Sequence, residues 1–259
     1  DLRRANEGLA AQRDNLEALS EKLAKESQVK SDLLSMVNHE LRTPLTSIRG
    51  WVETLRTLDD PTDENYRKGL EIINNETARL YNMVEELLEF SKMQDGRFTL
   101  QVEEMDLQAE LEDAIYTYRE LFRQDGIQLN YHSGQELYTD PISGDPQRLK
   151  QVFCNVLDNA AKHGGAGKRI DVSAACEDGK FVIRVRDYGP GIPEAYRESV
   201  FQPFFRVDKS RSRAHGGVGL GLSLVWEIAA LHGGTVQIER SGADGTVMLV
   251  TLPRDGKEA

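Results

Sequence analysis

Residues Ser35–Thr46 read Ser-Met-Val-Asn-His-Glu-Leu-Arg-Thr-Pro-Leu-Thr and place a histidine directly before a glutamate. A neutral imidazole is a competent nucleophile near neutral pH, where lysines are protonated. For His39 to attack a phosphoryl group, its other ring nitrogen must lose a proton, and Glu40 is placed to accept it. Pro44 lacks an N–H, so we expect the helix to kink beside the histidine. The segment therefore predicts a phosphate-accepting imidazole with its own base; a solvated surface histidine is the alternative.

Heptad-spaced leucines predict one long helix from Leu2 to about Leu58. They are Leu2, Leu9, Leu16 and Leu23, with Leu19 and Leu33 on the neighbouring seam. A turn at Pro61 and a second helix to about Met93 follow. Within the first helix the positions of inward type are Met36, Leu41, Leu45 and Ile48. Two such hairpins, paired through a coiled coil, predict a homodimeric four-helix bundle, and a lone helix packed on its own chain is the alternative.

After a linker at Gln94–Arg97 the periodicity changes to mixed helices and strands. Strands are predicted at 98–102, 127–131, 169–175, 180–187, 235–240 and 246–252, and helices at 107–124, 145–163 and 219–232. We therefore expect an α+β chain in which a helical hairpin precedes a two-layer α/β sandwich. The predicted domains are a coiled-coil helix at 1–28, a dimerising helical hairpin that carries His39 at 29–95, and an α/β domain at 96–259.

Length and composition limit the class of protein. A chain of 259 residues fits two domains of roughly 150 residues each. The formal net charge of −11 disfavours nucleic acid and anionic membranes as partners. Cys154 and Cys176 lack metal-ligand spacing and are expected to be reduced, buried thiols. No signal peptide and no run of about 18 apolar residues occur, which favours a cytoplasmic chain. The sequence opens at Asp1 within a helical pattern, so we expect a fragment whose upstream part is missing.

The predicted helix at 145–163 carries an apolar face and a polar face. Its core stripe comprises Leu149, Val152, Phe153, Val156, Leu157 and Ala160. Asn155 and Asn159 lie on the opposite side, and amide oxygens suit Mg²⁺, a hard cation that also binds phosphate oxygens. Lys162 and His163 add donors for phosphates. An ordinary solvated face is the alternative.

The strand Phe181–Asp187 alternates between apolar and polar residues and places Asp187 on the inward-facing row. A buried carboxylate must find hydrogen-bond donors, and the amino group of adenine would supply one. Gly189 and Gly191 follow, and they let a base or sugar approach the backbone. The pattern indicates a base-binding carboxylate; the alternative is an ordinary strand-ending turn.

A glycine-rich stretch, Gly216-Gly-Val-Gly-Leu-Gly-Leu222, leads into the next predicted helix. Glycines free backbone N–H groups to bind phosphate, and a helix N-terminus favours negative charge. The residues expected to contact the phosphates are Gly217, Gly219, Leu220 and Gly221. Upstream lies a predicted lid, in which Phe201 attaches to the core while Lys209 and Arg211 stand near the phosphates. A disordered surface loop is the alternative for its basic part.

These motifs occur in the order found in sensor histidine kinases of two-component systems, and residues 29–253 resemble that family. The resemblance implies that His39 is phosphorylated, that Glu40 is the base, and that Thr43 can position a water for dephosphorylating a partner. It places Asn159 at Mg²⁺ and implies ATP, a homodimer and a response regulator whose aspartate receives the phosphoryl group. Gly164-Gly-Ala-Gly167 departs from the usual Thr/Ser-Pro after the asparagine motif.

Two other functions fit parts of the sequence. One is a non-kinase ATPase of the gyrase and heat-shock chaperone superfamily, and the other is a nucleotide-binding dimeric scaffold. The phosphoacceptor segment around His39 distinguishes the kinase from both. The remaining histidines, His132, His215 and His232, are predicted to be structural or solvated.

Overall fold

A computed structural model describes residues 34–58, 64–134, 141–207 and 218–254, with the single positions 13, 16, 19 and 20. The chain divides into two compact units, residues 1–83 and 84–259. Most of the predicted coiled coil, the turn at Pro61 and the basic stretch after Val207 lie outside the described residues. The domain boundaries given above stay a prediction.

The first unit contains a helical hairpin. Helix α1 covers residues 34–55, and helix α2, Glu64–Gln94, begins in this unit and continues into the second. The helices approach closely at Gly69, where a Cβ would lie 2.8 Å from Cε3 of Trp51. Leu45, placed at an inward-type position, is 55% exposed, because a single hairpin covers only part of α1 and the neighbouring Pro44 takes the buried position. Helix α1 continues through Pro44, and the kink stays a prediction.

Three helices of the second unit begin at well-defined residues. They are α3, Leu107–Gln124; α4, Pro146–Gly164; and α5, Gly221–Leu231. Asp106 caps α3 by accepting from the N–H of Ala109, and Asp145 caps α4 by accepting from the N–H of Arg148. All six apolar positions predicted for the core stripe of α4 are buried.

The second unit also contains seven described strands in two sheets. They are β1, Glu103–Met105; β2, Gln128–Ser133; β3, Ile142–Gly144; β4, Arg169–Glu177; β5, Lys180–Asp187; β6, Thr235–Gly242; and β7, Gly245–Pro253. The main sheet has the order β2-β4-β5-β7-β6, and only its β2–β4 pair is parallel. Strands β1 and β3 form a small antiparallel pair. Helices α3, α4 and α5 share one hydrophobic core with the main sheet, which confirms the predicted two-layer sandwich.

Two local predictions are wrong and one strand was missed, each for an identifiable reason. Residues 98–102 are not a strand, because the N–H of Gln101 bonds to the carboxylate of Asp145 and pairing begins only at Glu103. Strand β3 was not predicted, since three residues are too short to show alternation. Helix α5 begins two residues later than expected, because Gly219 has φ +79°, outside the helical region.

The two cysteines are free, as predicted, but only partly buried. Cys154 lies on α4 next to the core, and burial raises the pKa of its thiol. Its thiol is therefore less reactive than an exposed one at neutral pH.

His232 is buried and links two elements of the second unit. Its Nε2 accepts from the N–H of Asp145 at 3.0 Å, and its Nδ1 donates to the carbonyl of Ile228 at 2.8 Å. The ring therefore joins the end of α5 to the cap of α4. His232 is structural, as the sequence predicted.

We expect His232→Ala to lower the free energy of unfolding of the second unit by about 2–3 kcal/mol, because it removes a buried ring and leaves the buried N–H of Asp145 without its acceptor. Urea unfolding measures this change in free energy. In a Trp51→Phe background, Trp226 on α5 is the one remaining tryptophan, and its fluorescence follows the unfolding of the second unit. His132→Ala, which changes an exposed histidine on β2, should alter stability by less than about 0.5 kcal/mol. Equal effects of the two substitutions would contradict the structural role.

Candidate functional site

His39 lies exposed on α1 beside a largely buried acid. The side chain of His39 is 69% exposed and that of Glu40 is 12% exposed, and Nδ1 lies 3.9 Å from Oε1. Helix α2 supplies Arg79, whose Nη2 lies 3.6 Å from the other carboxylate oxygen and whose Nη1 lies 3.5 Å from Glu76. Arg79 therefore fixes the Glu40 carboxylate next to Nδ1. The opposite nitrogen, Nε2, lies on the other edge of this exposed ring.

Thr43 lies one turn beyond His39 on the same helix and is exposed. Its hydroxyl donates to the carbonyl of His39 at 3.3 Å. The threonine is thus close to the histidine, as the spacing of four residues predicts.

The two asparagines of α4 lie opposite the start of α5. The side-chain amide of Asn159 donates to the carbonyl of Asn155 at 2.8 Å, which leaves its Oδ1 as an acceptor. A Cβ at Gly221 would lie 3.7 Å from Nδ2 of Asn159 and 3.9 Å from Oδ1 of Asn155. The asparagine face of α4 and the glycine-rich N-terminus of α5 thus face each other, as a phosphate-bridged Mg²⁺ requires.

The two basic residues of the asparagine motif lie on the last turn of α4. The ammonium group of Lys162 forms an ion pair with Asp158, one turn earlier. His163 is exposed on the same turn. The positive charge of Lys162 is therefore shared with a neighbouring carboxylate.

Asp187 ends strand β5 with a partly buried carboxylate. Its Oδ1 accepts from the N–H groups of Gly189 at 2.8 Å and Thr246 at 3.2 Å. Among the described residues no donor is bonded to its Oδ2. Burial raises the pKa of Asp187, while the two backbone hydrogen bonds act in the opposite direction. The free oxygen is an acceptor for a donor such as the amino group of adenine.

The C-terminal end of α4 contacts the turn after Asp187 through glycines. A Cβ at Gly164 would lie 2.2 Å from Cβ of Asp187, and one at Gly167 would lie 2.3 Å from the carbonyl oxygen of Tyr188. The buried Gly189 meets Gly164 from the other side, with a Cβ position 2.7 Å from its Cα. A larger residue at Gly164 would collide with the Asp187 side chain, and one at Gly167, in the turn after α4, would collide with the backbone of Tyr188. The glycines that replace the usual Thr/Ser-Pro at 164–167 therefore allow this segment to pack closely against the turn after Asp187.

The remaining predicted glycines contact other segments of the second unit. Gly191 has φ +75°, and a Cβ there would lie 2.1 Å from the carbonyl oxygen of Gly242. Gly219 has φ +79°, and its carbonyl accepts from the N–H of Phe204. Leu220 is 2% exposed and belongs to the core rather than to an open surface. Lys209, Arg211 and Gly217 lie outside the described residues.

Phe201 lies in the wall of a separate cavity of about 620 Å³ in the second unit. Phe90, Met93 and Trp226 line the same cavity. Phe201 also packs against the hydrophobic core, which agrees with its predicted attachment there.

Two residues of the site were missed by the sequence reasoning. Arg79 lies on a helix remote in sequence from Glu40, and only the packing of the hairpin brings them together. Thr246 acts through its backbone N–H, which leaves no signal in the side chains. The signal that could have identified Arg79 is a basic residue among the inward-facing positions of α2, where it would need an acidic partner on α1.

An exposed histidine on a helical hairpin, followed by a sandwich with an asparagine, aspartate and glycine site, is the arrangement of a nucleotide-dependent phosphotransfer protein. Two family models match the chain, and together they cover most of it. Residues 29–96 match the His Kinase A (phospho-acceptor) domain, and residues 144–256 match the histidine kinase-, DNA gyrase B- and HSP90-like ATPase. The chain belongs to the sensor histidine kinases.

Individual relatives agree with this assignment. The circadian input-output histidine kinase CikA of Synechococcus elongatus is 33% identical over 86% of this chain and 30% of its own length. The histidine-protein kinase AfsQ2 of Streptomyces coelicolor is 33% identical over 93% of this chain and 45% of its own. The chain therefore spans less than half the length of either relative.

A solved structure shows the same fold. The histidine kinase ThkA, in complex with the response regulator protein TrrA, is 28% identical to this chain with a TM-score of 0.66. The match covers 86% of this chain and 61% of ThkA. Within the described part of the chain, no helix is both long and apolar enough to cross a membrane.

The Asp187 carboxyl predicts a pH effect on stability in the absence of nucleotide. Its folded-state pKa lies above the unfolded value of about 4, so the folded protein binds this proton more tightly and loses stability as the pH rises through that window. Asp187→Asn removes this contribution. Urea unfolding at several pH values should show wild type losing stability relative to Asp187→Asn on going from acid to neutral pH.

Asp178→Asn, at an exposed position in the turn after β4, is the control and should follow wild type at every pH. A constant difference between wild type and Asp187→Asn across the pH range would argue against the burial of the charged form.

Proposed function

We propose that this chain transfers the γ-phosphoryl group of ATP to Nε2 of His39. The observation that carries the proposal is the exposed imidazole whose Nδ1 faces the buried Glu40 carboxylate. A solvated surface histidine needs no such acid, and the acid itself needs Arg79 to offset its burial. Both groups are explained if the ring reacts.

The proposed step is an in-line displacement at the γ-phosphorus of ATP. The lone pair of Nε2 forms the N–P bond while the bond from phosphorus to the bridging oxygen breaks, and ADP leaves with that electron pair. The positive charge that develops on the ring is stabilised by Glu40, which can take the proton from Nδ1. Arg79 keeps the carboxylate in place without touching the reacting atoms.

The second unit fits Mg²⁺-ATP as the donor. Asp187 offers a free oxygen to the base and lies beside Gly164, the last residue of α4. Asn159 lies five residues earlier on that helix, about 7 Å away along its axis. The start of α5 faces Asn155 and Asn159 without side-chain obstruction at Gly221. Asn159 would hold Mg²⁺, which neutralises phosphate charge when bound.

We infer that the phosphoryl group then passes to an aspartate of a response regulator. The structural similarity to ThkA, whose solved complex contains a response regulator, supports this partner. Thr43 lies beside His39 on the exposed surface, where its hydroxyl can orient a water toward the phosphorylated partner. The match to the phospho-acceptor domain favours the kinase over an ATPase of the gyrase and chaperone type or a scaffold.

We also infer a homodimer through the helical hairpin. Large apolar side chains are exposed along the hairpin of a single chain, namely Leu34, Leu45, Val52 and Leu70. Such a stripe needs a partner in water. Light scattering should show that Leu45→Glu weakens the dimer at least tenfold, while Leu121→Glu, at an exposed position on α3, leaves it intact. A monomeric wild type would refute the dimer.

Incubation with γ-labelled ATP and Mg²⁺ tests the kinase proposal. Wild type should form an acid-labile, base-stable phosphoprotein, and His39→Ala should lose at least about 99% of the label because the nucleophile is absent. His132→Ala keeps the reaction and controls for loss of a histidine. Labelling of His39→Ala at the wild-type level would exclude His39 as the acceptor.

A chase with a receiver domain separates transfer from dephosphorylation. Label should leave the wild-type kinase for the receiver and then appear as inorganic phosphate. Thr43→Ala should still label and transfer but release phosphate about tenfold more slowly. Phosphate release at the wild-type rate would remove Thr43 from that step.

A further inference from the structure

Tyr188 follows Asp187 directly and lies on the face of the sheet opposite the helices. Two guanidinium groups contact its ring, with Cζ of Arg169 at 4.9 Å and Cζ of Arg186 at 4.5 Å from the ring centroid. Its hydroxyl donates to Oδ2 of Asp171. The side chain is therefore held by two contacts with its ring and by one hydrogen bond at its tip.

Asp171 is a firm anchor for the tyrosine. It also accepts from Arg169 at 2.9 Å and from Asn130 at 2.8 Å. Partial burial alone would raise the pKa of Asp171, but the hydrogen bonds from Arg169, Tyr188 and Asn130 outweigh it and lower the pKa to about 2. The carboxylate thus stays charged at neutral pH and joins strands β2 and β4 to the residue that follows β5.

The same turn is confined from its other side by the end of α4. The Gly164 and Gly167 contacts described above leave no space for the Asp187–Gly189 backbone to move toward α4. The contacts of Tyr188 with Asp171, Arg169 and Arg186 hold the same turn on the outer face of the sheet. The position of the Asp187 carboxylate therefore depends on an outer clamp of Arg169, Asp171, Arg186 and Tyr188, which we call the tyrosine clamp.

We propose that Tyr188 is a positioning residue for recognition of the nucleotide base, and that the tyrosine clamp holds the free oxygen of Asp187 in line with the amino group of adenine. This inference rests on the proposed function. Adenine presents a donor at that position and guanine an acceptor, so a fixed carboxylate favours adenine and repels guanine. A carboxylate that can turn away loses both effects.

Titration calorimetry of the full chain with Mg²⁺-ADP and Mg²⁺-GDP tests the proposal. We expect Tyr188→Ala to weaken ADP binding about tenfold and GDP binding much less, so that the preference for ADP falls. Tyr188→Phe keeps the contacts of the ring with the two guanidinium groups and loses one hydrogen bond, so it should weaken ADP binding about two- to threefold. In both Tyr188 variants, the rate of His39 labelling at saturating ATP should stay within about twofold of the wild-type rate.

Tyr116→Ala is the matched control, because this tyrosine lies on α3 in the same unit and is 76% exposed. It should leave both affinities unchanged. A purely structural tyrosine would lower both affinities by the same factor, because fewer molecules would be folded, and that result would overturn the proposal. Should Tyr188→Ala fail to fold, an unchanged preference in Tyr188→Phe would overturn it equally.

The wild type separates this inference from the proposed function. If wild type binds ADP and Tyr188→Ala binds it equally well, the tyrosine clamp is refuted and the kinase proposal stands. If wild type binds neither nucleotide, both fall.

Discussion

Partial burial of the Asp187 carboxylate constrains the surrounding backbone, because a charged group that loses part of its water must find hydrogen-bond donors. The N–H of Gly189 and the N–H of Thr246 meet this demand on one oxygen. For these groups to reach it, strand β7 must lie beside β5 and the chain must turn immediately after the carboxylate. The glycines at the end of α4 then fit against that turn. The arrangement of helix, strand and turn around the candidate base site follows from one charge.

The hairpin solves a different problem, which is to expose a reactive ring and still control its orientation. A solvent-exposed histidine can be reached by large partners but is free to rotate. Here the neighbouring acid is buried and tied to the second helix through Arg79, so the ring has a fixed group to face. The close approach of the helices at Gly69 makes such ties between them possible. The exposed His39 is thus available to partners, while the largely buried Glu40 beside it has a fixed position.

Much of the fold could be predicted from the sequence, because its signals are local. The amphipathic pattern of α4 identified six buried positions correctly, and the alternation in β5 gave that strand its observed limits. The short strand β3 and the segment around Gln101 could not be predicted, since their hydrogen bonds depend on residues more than 35 positions away. The histidine and the asparagine face were found from side-chain chemistry. Arg79, Thr246 and Tyr188 were not, because their roles arise only from tertiary packing.

The exposure of a single imidazole has a kinetic consequence under the proposed function. One ring nitrogen would receive the phosphoryl group from the nucleotide and later release it to a carboxylate. Two bulky reactants cannot occupy that edge together, so donor and acceptor must take turns. The chain would then follow a ping-pong order, in which excess of either reactant competes with the other.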